Sequence, residues 1–401
     1  MLQLSILNFT KGSYLFVQGQ AENDRFYIIQ KGQVRCYKEL EVDSTMNILG
    51  PGDFAGVIPC MAGQSQIETV VATSDVQAIS VKKDQYPDLI RKNAPVAIKI
   101  IRTFAARMRF LNEKLAQLTL KNVTTITAEH LYTTATYYDK ARQYNSAIYG
   151  YYQYMKECPK GPNVEKAKQR FIQLKPITQA VYYESTNETV RTYPKDTMIF
   201  SECQRGAEMF IIQGGQIKIT KIVDNNEIIL AVLKKGDFFG EMSLLENKPR
   251  SASAIAHDDC ILMVINKNNF NIMVQSQPQL ISRLTTTLAE RLWTMSRQLT
   301  NTQLADTNQK LIDMLALQLE KNKIALNKTS DYQFDLTAYD LANMCGIPKT
   351  EQAIALGNFI QNPLISLVQN KIYVKNTEEI IKTAAFYRKQ QQKTNTARTS
   401  K

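Results

Sequence analysis

The stretch FFGEMSLLENKPRSASA, residues 238–254, contains the features that decide the fold. An apolar strand runs into Gly240, a short helix begins near Glu241, and Arg250 follows directly after a proline. Glycine lets a backbone approach a ligand closely, because it has no Cβ. The first turn of a helix presents unpaired N–H groups that attract anions. The segment therefore has the local structure of an anion-binding turn.

The side chains of this stretch indicate which anion it suits. Arg250 has forked donors that match phosphate oxygens, and Ser251 adds a hydroxyl. Glu241 accepts hydrogen bonds, and its carboxylate would repel a phosphate unless it faced a sugar hydroxyl. The combination predicts a pocket for a phosphorylated ribose. The alternative is an ordinary Arg–Glu surface pair on a strand–helix turn.

Two parts of the chain repeat each other, which indicates two copies of one fold. Residues 14–37 and 50–56 match residues 197–220 and 234–240. Both copies contain short β-rich runs separated by Gly and Asp turns, which is typical of an antiparallel roll. Each copy is followed by a helical run with apolar residues three and four positions apart. This spacing predicts either packing on the roll or a coiled-coil-like seam with another helix.

Residues 238–254 and the roll before them resemble the cyclic nucleotide-binding domain family, shared by bacterial catabolite activators and eukaryotic cyclic-nucleotide-dependent kinases. The phosphate-binding cassette of that family reads FGE, an apolar helix, then PR, a small residue and Ala. Here FGE occupies 239–241 and PRSA occupies 249–252. The resemblance implies that Glu241 holds the ribose 2′-hydroxyl and Arg250 the cyclic phosphate. It implies further contacts from Gly240, Met242, Ser243, Ser251 and Ala252.

The first copy departs from the cassette pattern. Val57 stands at the glutamate position, Gln66 stands at the arginine position, and Pro59 interrupts the helix. No cationic side chain remains there to balance a phosphate, and burying an unpaired anion costs free energy. We therefore expect residues 1–118 to be a degenerate copy with a structural or dimer-forming role.

Base recognition in this family comes partly from the helix after the roll. That helix is LTTTLAERLWTMSRQL, residues 284–299, and it offers Trp293 for stacking on a purine. Ser296 or Arg291 would reach the polar edge of the base. The alternative role of Trp293 is packing in the helix seam. A serine after the arginine, as at Ser251, is also found in the activators that bind cyclic AMP, but it does not decide which base is bound. We expect cyclic AMP, with cyclic GMP as the alternative.

The middle of the chain is rich in tyrosine and alanine at helical spacing. Residues 127–175 resemble a tetratricopeptide repeat hairpin of roughly one and a half units. About three such repeats are normally needed for an independent solenoid. We therefore expect a helical spacer packed on its neighbours, with a partner-binding tyrosine-rich groove as the alternative.

Residues 300–387 read as a helix, a tight turn at Gly346 between two helices, and a two-strand ribbon. This order resembles the winged helix-turn-helix of the Crp/Fnr family, whose recognition helix reads base edges in the major groove. The implied DNA contacts are Lys349, Thr350, Gln352 and Ala353 on that helix, and Lys371 and Lys375 on phosphates.

The match to the DNA-reading family is partial. Lys349 and Thr350 replace its usual Arg and Glu base readers, Ile354 replaces a later Arg, and Glu351 would repel phosphate. The tail, 388–401, has five basic and no acidic residues, and we expect it to be disordered. A nucleic-acid contact by this tail is the other possibility.

Composition excludes several classes of protein. Apolar residues make up 44% and charged residues 21% of 401 residues, with a formal net charge of +12, which is globular composition. The six cysteines form no CxxC pair and only two histidines occur, so we expect no metal site and no disulfide framework.

No nucleophile–base pair or nucleotide-triphosphate loop is present, so we expect no enzyme. No apolar run reaches membrane-spanning length, and the start lacks leader features, so we expect a cytoplasmic protein.

These patterns together predict an α+β chain. It has two antiparallel β-roll (double-stranded β-helix) cyclic nucleotide-binding domains, a helical hairpin spacer and a C-terminal winged helix. The expected boundaries are 1–118, 119–185, 186–300, 301–387 and a tail over 388–401.

The expected function is a Crp/Fnr-type DNA-binding transcriptional regulator that responds to cyclic AMP. The alternative is a cyclic-nucleotide-sensing adaptor that acts through protein contacts without DNA. The ligand would shift helix 280–299 against a partner helix and so reorient the winged helix. A ligand can cause this shift only if it binds one arrangement of the two helices more tightly than the other. The partner helix is either 97–118 of the same chain, giving a pseudo-dimer, or the same helix of a second copy. The target sequence and the choice between activation and repression are left open.

Overall fold

The computed structural model describes most of the chain. The described residues are 4–21, 23–38, 48–120, 127, 129–182, 188–223, 226–322, 324 and 330–399. Parts of the predicted spacer, namely 121–126, 128 and 183–187, lie outside them, as do residues 400–401 of the predicted tail.

In the described part of the first roll, eight strands form two antiparallel four-stranded sheets, ordered β1-β8-β3-β6 and β2-β7-β4-β5. Its strands are β1 (Ser5–Phe9), β2 (Tyr14–Phe16), β3 (Arg25–Lys31), β4 (Val34–Tyr37), β5 (Ile48–Leu49), β6 (Phe54–Ala55), β7 (Thr69–Ala72) and β8 (Val76–Lys82). Alternating side chains such as Ile29, Val34 and Val70 form its core, as expected for strands with one buried face. Helices α1 (Val57–Ala62), α2 (Tyr86–Lys92) and the long α3 (Ala94–Leu120) accompany it.

A helical hairpin and a third helix follow: α4 (Glu129–Lys140), α5 (Tyr144–Glu157) and α6 (Val164–Leu174). Their buried tyrosines, Tyr138, Tyr149, Tyr151 and Tyr154, form one apolar cluster with residues of the second roll such as Met198 and Ile255. The hydroxyl of Tyr138 shares a hydrogen bond of 2.9 Å with that of Thr220. Much of the tyrosine content of the predicted spacer is therefore used in packing on the second roll.

The second roll repeats the first, strand for strand. Its strands are β9 (Val190–Tyr193), β10 (Met198–Phe200), β11 (Glu208–Gly214), β12 (Ile217–Val223), β13 (Asn226–Leu233), β14 (Phe238–Phe239), β15 (Ser253–Ala256) and β16 (Cys260–Asn266). The sheets are ordered β10-β15-β12-β13 and β14-β11-β16-β9. Tyr27 pairs with Ala55 in the first roll as Phe210 pairs with Phe239 in the second. The repeat predicted from sequence is therefore confirmed as two antiparallel rolls.

Helices α7 (Glu241–Glu246), α8 (Lys267–Ser276) and α9 (Pro278–Thr302) accompany the second roll. The C-terminal part contains α10 (Thr307–Lys321), β17 (Tyr332–Gln333), α11 (Ala338–Met344), α12 (Lys349–Ile360), β18 (Ile365–Val368), β19 (Lys371–Val374) and α13 (Thr377–Thr399). Its three strands form one sheet in the order β17-β19-β18. A capping box between Thr337 and Asp340 fixes the start of α11.

The structure corrects the prediction of a disordered tail over 388–401. Helix α13 continues through Thr399, and its residue Arg388 forms an ion pair with the buried carboxylate of Asp313. A buried carboxylate needs a cationic partner, and Arg388 supplies one. At least the start of this basic segment is therefore structural.

The chain divides into two compact units. The first comprises residues 1–88, 110–121 and 288–401, and the second comprises residues 89–109 and 122–287. This division differs from the predicted domain boundaries, because α3 and α9 are each shared between the two units.

None of the described helices combines the length and apolarity needed to cross a membrane.

Candidate functional site

The cassette of the second roll is built around Gly240, which precedes α7. Its φ of +78° lies in the left-handed region that favours glycine. A Cβ at this position would lie 2.7 Å from Nη1 of Arg250 and 3.3 Å from the ring of Phe200. Glycine is therefore required both by the backbone conformation and by the close approach of the arginine.

Arg250 is buried, and its hydrogen bonds go to a carbonyl and a hydroxyl. Its side chain is 5% exposed, and its Nη1 donates hydrogen bonds to the Gly240 carbonyl at 2.7 Å and to Oγ of Ser243. Its guanidinium stacks 4.1 Å from the centre of the Phe200 ring. Within the described part of the chain, its Nε has no hydrogen-bond partner and no carboxylate lies within ion-pair distance. Burial away from water lowers the pKa of Arg250 to about 10, although the nearby Tyr149, Glu208 and Glu241 raise it slightly.

A buried cation with an unused donor is unfavourable in the empty protein. An anion that accepts from the guanidinium would remove the cost of burying an uncompensated charge. Arg250 therefore has the environment expected of an anion-binding residue rather than of a surface ion pair. This excludes the Arg–Glu surface pair as its role.

The other predicted cassette residues lie in the same segment. Glu241, Met242, Ser243 and Ala252 are buried, and Ser251 is half-buried. Oγ of Ser243 donates to the Gly240 carbonyl at 3.1 Å, and Oγ of Ser251 lies 3.8 Å from the sulfur of Met242. These contacts join Gly240, Ser243 and Arg250, and Met242 with Ser251, whereas Glu241 and Ala252 share only the segment and its burial.

A cavity of about 140 Å³ lies beside Arg250. Its cationic lining residues are Lys156, Arg191, Arg205 and Arg250, against one carboxylate, that of Glu208. Nη1 and Nη2 of Arg191 each donate a hydrogen bond of 2.8 Å to the Glu208 carboxylate. The net positive lining suits an anionic ligand.

Helix α5 forms one wall of this cavity, through Tyr149, Gln153 and Lys156. The sequence analysis did not predict this wall, because these residues lie about a hundred positions before Arg250 in the chain. The tyrosine-rich composition of residues 127–175 indicated that this segment packs on a neighbouring part of the chain. It did not indicate that the neighbour is the nucleotide-binding roll.

The first roll has a different chemistry at the equivalent positions. Val57 is buried, and so is Gln66, whose Nε2 donates to Oδ1 of Asn23 at 2.7 Å. Cys60 on the intervening helix is also buried, which raises its thiol pKa to about 12. An amide–amide pair stands where the second roll has its unpaired guanidinium.

Trp293 and Ser296, predicted to contact the base, belong to the compact unit of the first roll. The indole is 1% exposed, and its Nε1 donates to the Ser65 carbonyl at 2.9 Å. Ser296 is buried as well. The structure therefore corrects the stacking prediction for Trp293, because a ring that is packed on all sides has no face open to a base.

A residue that the sequence analysis did not single out contacts the end of the cassette. Arg109 on α3 forms an ion pair with Glu246, with Nε 2.5 Å from Oε2, and donates to the Pro249 carbonyl at 3.2 Å. Both side chains are almost fully buried. Arg109 therefore holds α7 and the residue just before Arg250.

Parts of this chain match a known protein family and known regulators. The family described as "Cyclic nucleotide-binding domain" matches residues 6–93 and 190–277. The "cAMP-activated global transcriptional regulator CRP" of Pasteurella multocida is 30% identical over 190 residues, which cover 47% of this chain and 90% of the relative. The chain belongs to the Crp/Fnr-type family of cyclic nucleotide-binding proteins. The "Cyclic AMP receptor protein" of Thermus thermophilus is 24% identical over 192 residues, 46% of this chain and 83% of the relative.

Two solved structures are also similar to this Crp/Fnr-type chain. The Thermus thermophilus catabolite activator protein is 22% identical with a TM-score of 0.29, covering 49% of this chain and 90% of that one. The regulatory domain of Toxoplasma gondii PKA with cAMP is 17% identical with a TM-score of 0.21, covering 70% of this chain and 84% of that one.

The predicted DNA-contacting residues of α12 are only partly exposed. Lys349, Thr350 and Ala353 are exposed at its start. Gln352 is buried, and its Nε2 donates to Oδ1 of Asn343 at 2.8 Å and to the Ile347 carbonyl at 2.9 Å. The prediction of a base contact by Gln352 is corrected, because both its amide hydrogens hold the turn between α11 and α12.

The two lysines of the predicted ribbon remain near the surface. Lys371 forms an ion pair with the exposed Asp335. Nζ of Lys375 donates to the Pro363 carbonyl at 2.9 Å. Both interactions are exposed and weak, so they leave the lysines free to exchange partners.

Three ligand-type residues, His130, Glu202 and Cys203, lie together beneath α4, with their donor atoms within 4.8 Å of one another. Glu202 already accepts from His130 at 3.2 Å and pairs with Nζ of Lys221 at 3.1 Å. The lysine neutralises the carboxylate, and burial raises the pKa of the Cys203 thiol to about 12. The arrangement fits a structural link between α4 and the roll better than a cation site.

Proposed function

We propose that the chain is a transcriptional regulator of the Crp/Fnr type that binds a cyclic nucleotide, cyclic AMP first, at the second roll. The observation that supports this most directly is Arg250, buried with no carboxylate in ion-pair contact among the described residues. A cyclic phosphate carries one negative charge and accepts from a guanidinium. Glu241, buried at the start of α7, is the acceptor for the ribose hydroxyl.

The second half of the proposal is DNA binding by α11 and α12. Exposed Lys349 and Thr350 at the start of α12 support it, because the first turn of a recognition helix contacts base edges. Lys371 and Lys375 add phosphate contacts. In this proposal the chain is a regulator without catalytic activity that acts in the cytoplasm.

We further propose that the long helix after each roll acts on the cassette loop of the other roll. Trp293 on the helix after the second roll donates to Ser65 in the first, and Arg109 on the helix after the first roll donates to Pro249 in the second. Each long helix thus contacts the cassette loop of the other roll. This exchange supports a single chain as the functional unit, with one DNA-reading head.

One observation favours the alternative function, an adaptor that acts through protein contacts. The face of α12 carries Ile354, which is 73% exposed, and the acidic Glu351. Exposed apolar residues also include Tyr339 and Leu367 on neighbouring elements. An apolar exposed patch is more typical of a protein interface than of a DNA-reading surface.

Two titrations of the full chain test these proposals. Calorimetry with cyclic AMP and cyclic GMP, with linear AMP as control, should show one site per chain that prefers a cyclic ligand. Fluorescence anisotropy with a labelled random duplex, at increasing salt, should show affinity that falls as salt rises. Cyclic nucleotide binding with no duplex binding even at low salt would select the adaptor, and no nucleotide binding would overturn the proposal.

A further inference from the structure

The cavity beside Arg250 has walls from two separate parts of the fold. The second roll supplies Arg250, Gln204 and the Arg191–Glu208 pair, and α5 supplies Tyr149, Gln153 and Lys156. The ligand expected at Arg250 therefore meets α5 as well as its own roll.

Two cations of this cavity have no carboxylate in contact. Arg191 is neutralised by Glu208, and Arg205 lies 3.5 Å from Glu157. Among the described residues, neither Arg250 nor Lys156 has a carboxylate within ion-pair distance. Two unneutralised cations facing one cavity attract a phosphate more strongly than one, because their fields add at short range.

The cavity size limits which part of a nucleotide it holds. A cavity of about 150 Å³ accommodates a single six-membered ring such as benzene. The 140 Å³ here therefore suits the ring-closed phosphate and the adjoining edge of the sugar, and Glu241, which does not line the cavity, would meet the ribose hydroxyl outside it. The base would extend from the cavity.

A chain of hydrogen bonds connects Arg250 to α5. The backbone N–H of Arg250 donates to the Gln204 carbonyl at 2.8 Å. Oε1 of Gln204 accepts from the Tyr149 hydroxyl at 3.2 Å and from the Ser201 N–H at 2.9 Å. The same tyrosine hydroxyl also lies 2.9 Å from the Ile199 carbonyl. A shift of Arg250 on binding an anion would therefore change the hydrogen bonds of Tyr149.

We propose that α5 is part of the nucleotide site of the second roll. Gln153 and Lys156 contact the phosphate and ribose of a cyclic nucleotide held by Arg250, and Gln204 and Tyr149 transmit occupancy to the helical spacer. This inference rests on the proposed function, and it identifies the spacer as the element that reports the ligand.

The first test measures affinity. Calorimetry with cyclic AMP compares the wild-type chain with Lys156→Ala, and with Lys160→Ala as a matched control outside the cavity. We expect Lys156→Ala to weaken binding about two- to fivefold, the effect of one exposed ionic contact. Lys160→Ala should bind like the wild type.

The second test measures transmission. Hydrogen exchange over residues 144–157 is followed with and without cyclic AMP in the wild type, in Tyr149→Phe, and in Tyr151→Phe. Tyr151 is a matched control, because its hydroxyl donates to Asp139 on the same hairpin and away from the cavity. We expect the ligand to slow exchange in the wild type and in Tyr151→Phe, and to lose this effect in Tyr149→Phe; thermal scans of all three confirm folding.

The outcomes separate this inference from the function on which it rests. Cyclic AMP binding with unchanged exchange in α5, or equal affinities of the Lys156 and Lys160 variants, would overturn the role of α5 and leave the proposed function standing. A wild-type chain that binds no cyclic nucleotide would overturn both.

Discussion

The indole Nε1 of Trp293 donates a hydrogen bond of 2.9 Å to the carbonyl oxygen of Ser65. Arg109 makes the same kind of contact to the carbonyl of Pro249. Trp293 lies 184 positions after Arg109, and Pro249 lies 184 positions after Ser65. This is the same offset that relates the two cassettes. The two rolls have therefore kept one contact, between a long helix and a cassette loop, with two different donors.

The different donors fit the different chemistry of the two rolls. At Pro249 the donor is an arginine that also pairs with Glu246 and so fixes the helix next to Arg250. At Ser65 the donor is an indole, which adds apolar packing and one hydrogen bond but no charge. The contact at the second roll is electrostatic and tied to the anion site, whereas the contact at the first is structural.

Replacing Arg250 should separate ligand binding from stability. We expect Arg250→Met to lose cyclic nucleotide binding by at least a hundredfold, because the phosphate loses its buried cation. The unliganded variant should stay within about 1 kcal/mol of the wild type, because methionine removes a buried charge that lacks a counter-charge but also removes the donor to Gly240 and Ser243. Calorimetry and urea denaturation of the full chain measure the two effects, and unchanged affinity would remove Arg250 from the site.

Replacing Trp293 should affect stability alone. We expect Trp293→Phe to destabilise the chain by about 1–2 kcal/mol, because the Ser65 carbonyl loses its donor. Trp293→Ala should cost about 3–5 kcal/mol through the cavity that it leaves. The affinity of Trp293→Phe for cyclic AMP should equal that of the wild type, and a tenfold loss would instead support the base-stacking role expected from the sequence.

Breaking the buried pair of Arg109 and Glu246 should cost more than breaking an exposed pair. Removing Arg109 leaves the buried Glu246 with only Nζ of Lys248, at 3.8 Å, so we expect Arg109→Met to lose up to about 3 kcal/mol of unfolding free energy. The control is Lys382→Met, which breaks the exposed pair with Glu378 and should leave the unfolding free energy nearly unchanged. Equal costs in urea denaturation would show that the Arg109 contact is energetically unimportant.

The strand pattern and the cassette were predictable from sequence because they are local and repeated. The spacing of Gly, Asp and β-branched residues identified both rolls, and the cassette residues lie within one stretch of seventeen. The wall of α5 was not predictable, since no local pattern links Tyr149 to Gln204. The burial of Gln352 could have been read from helical phase, because it lies three and four positions before the apolar Ala355 and Leu356.

Lys349 and Gln352 should behave differently, although both were predicted to contact DNA. We expect Lys349→Ala to leave stability unchanged and to reduce the salt dependence of duplex binding by about one counterion. Gln352→Ala should destabilise the C-terminal helices by about 1–3 kcal/mol, because Asn343 and the Ile347 carbonyl lose a buried donor. Anisotropy at several salt concentrations and urea denaturation of both variants distinguish a surface contact from a structural one.

The last prediction concerns the acid stability of the helical hairpin. Asp139 accepts from the guanidinium of Arg170 at 2.6 Å and 2.8 Å and from the hydroxyl of Tyr151 at 3.0 Å. The hydrogen bonds from Arg170 lower the pKa of Asp139 below its usual 3.8, with a smaller lowering from Tyr151. A carboxyl whose pKa is lowered by folding stabilises the folded state above its unfolded pKa and loses that contribution as the pH falls through the folded pKa.

Asp139→Asn should therefore be less stable than the wild type at neutral pH, with the difference shrinking as the pH falls below about 4. Thermal denaturation of both chains between neutral pH and about pH 3 measures this convergence. Glu165→Gln, an exposed carboxyl change in the first turn of α6, is the control and should parallel the wild type throughout. A difference that stayed constant down to pH 3 would mean that Asp139 stabilises the hairpin through shape rather than through its charge.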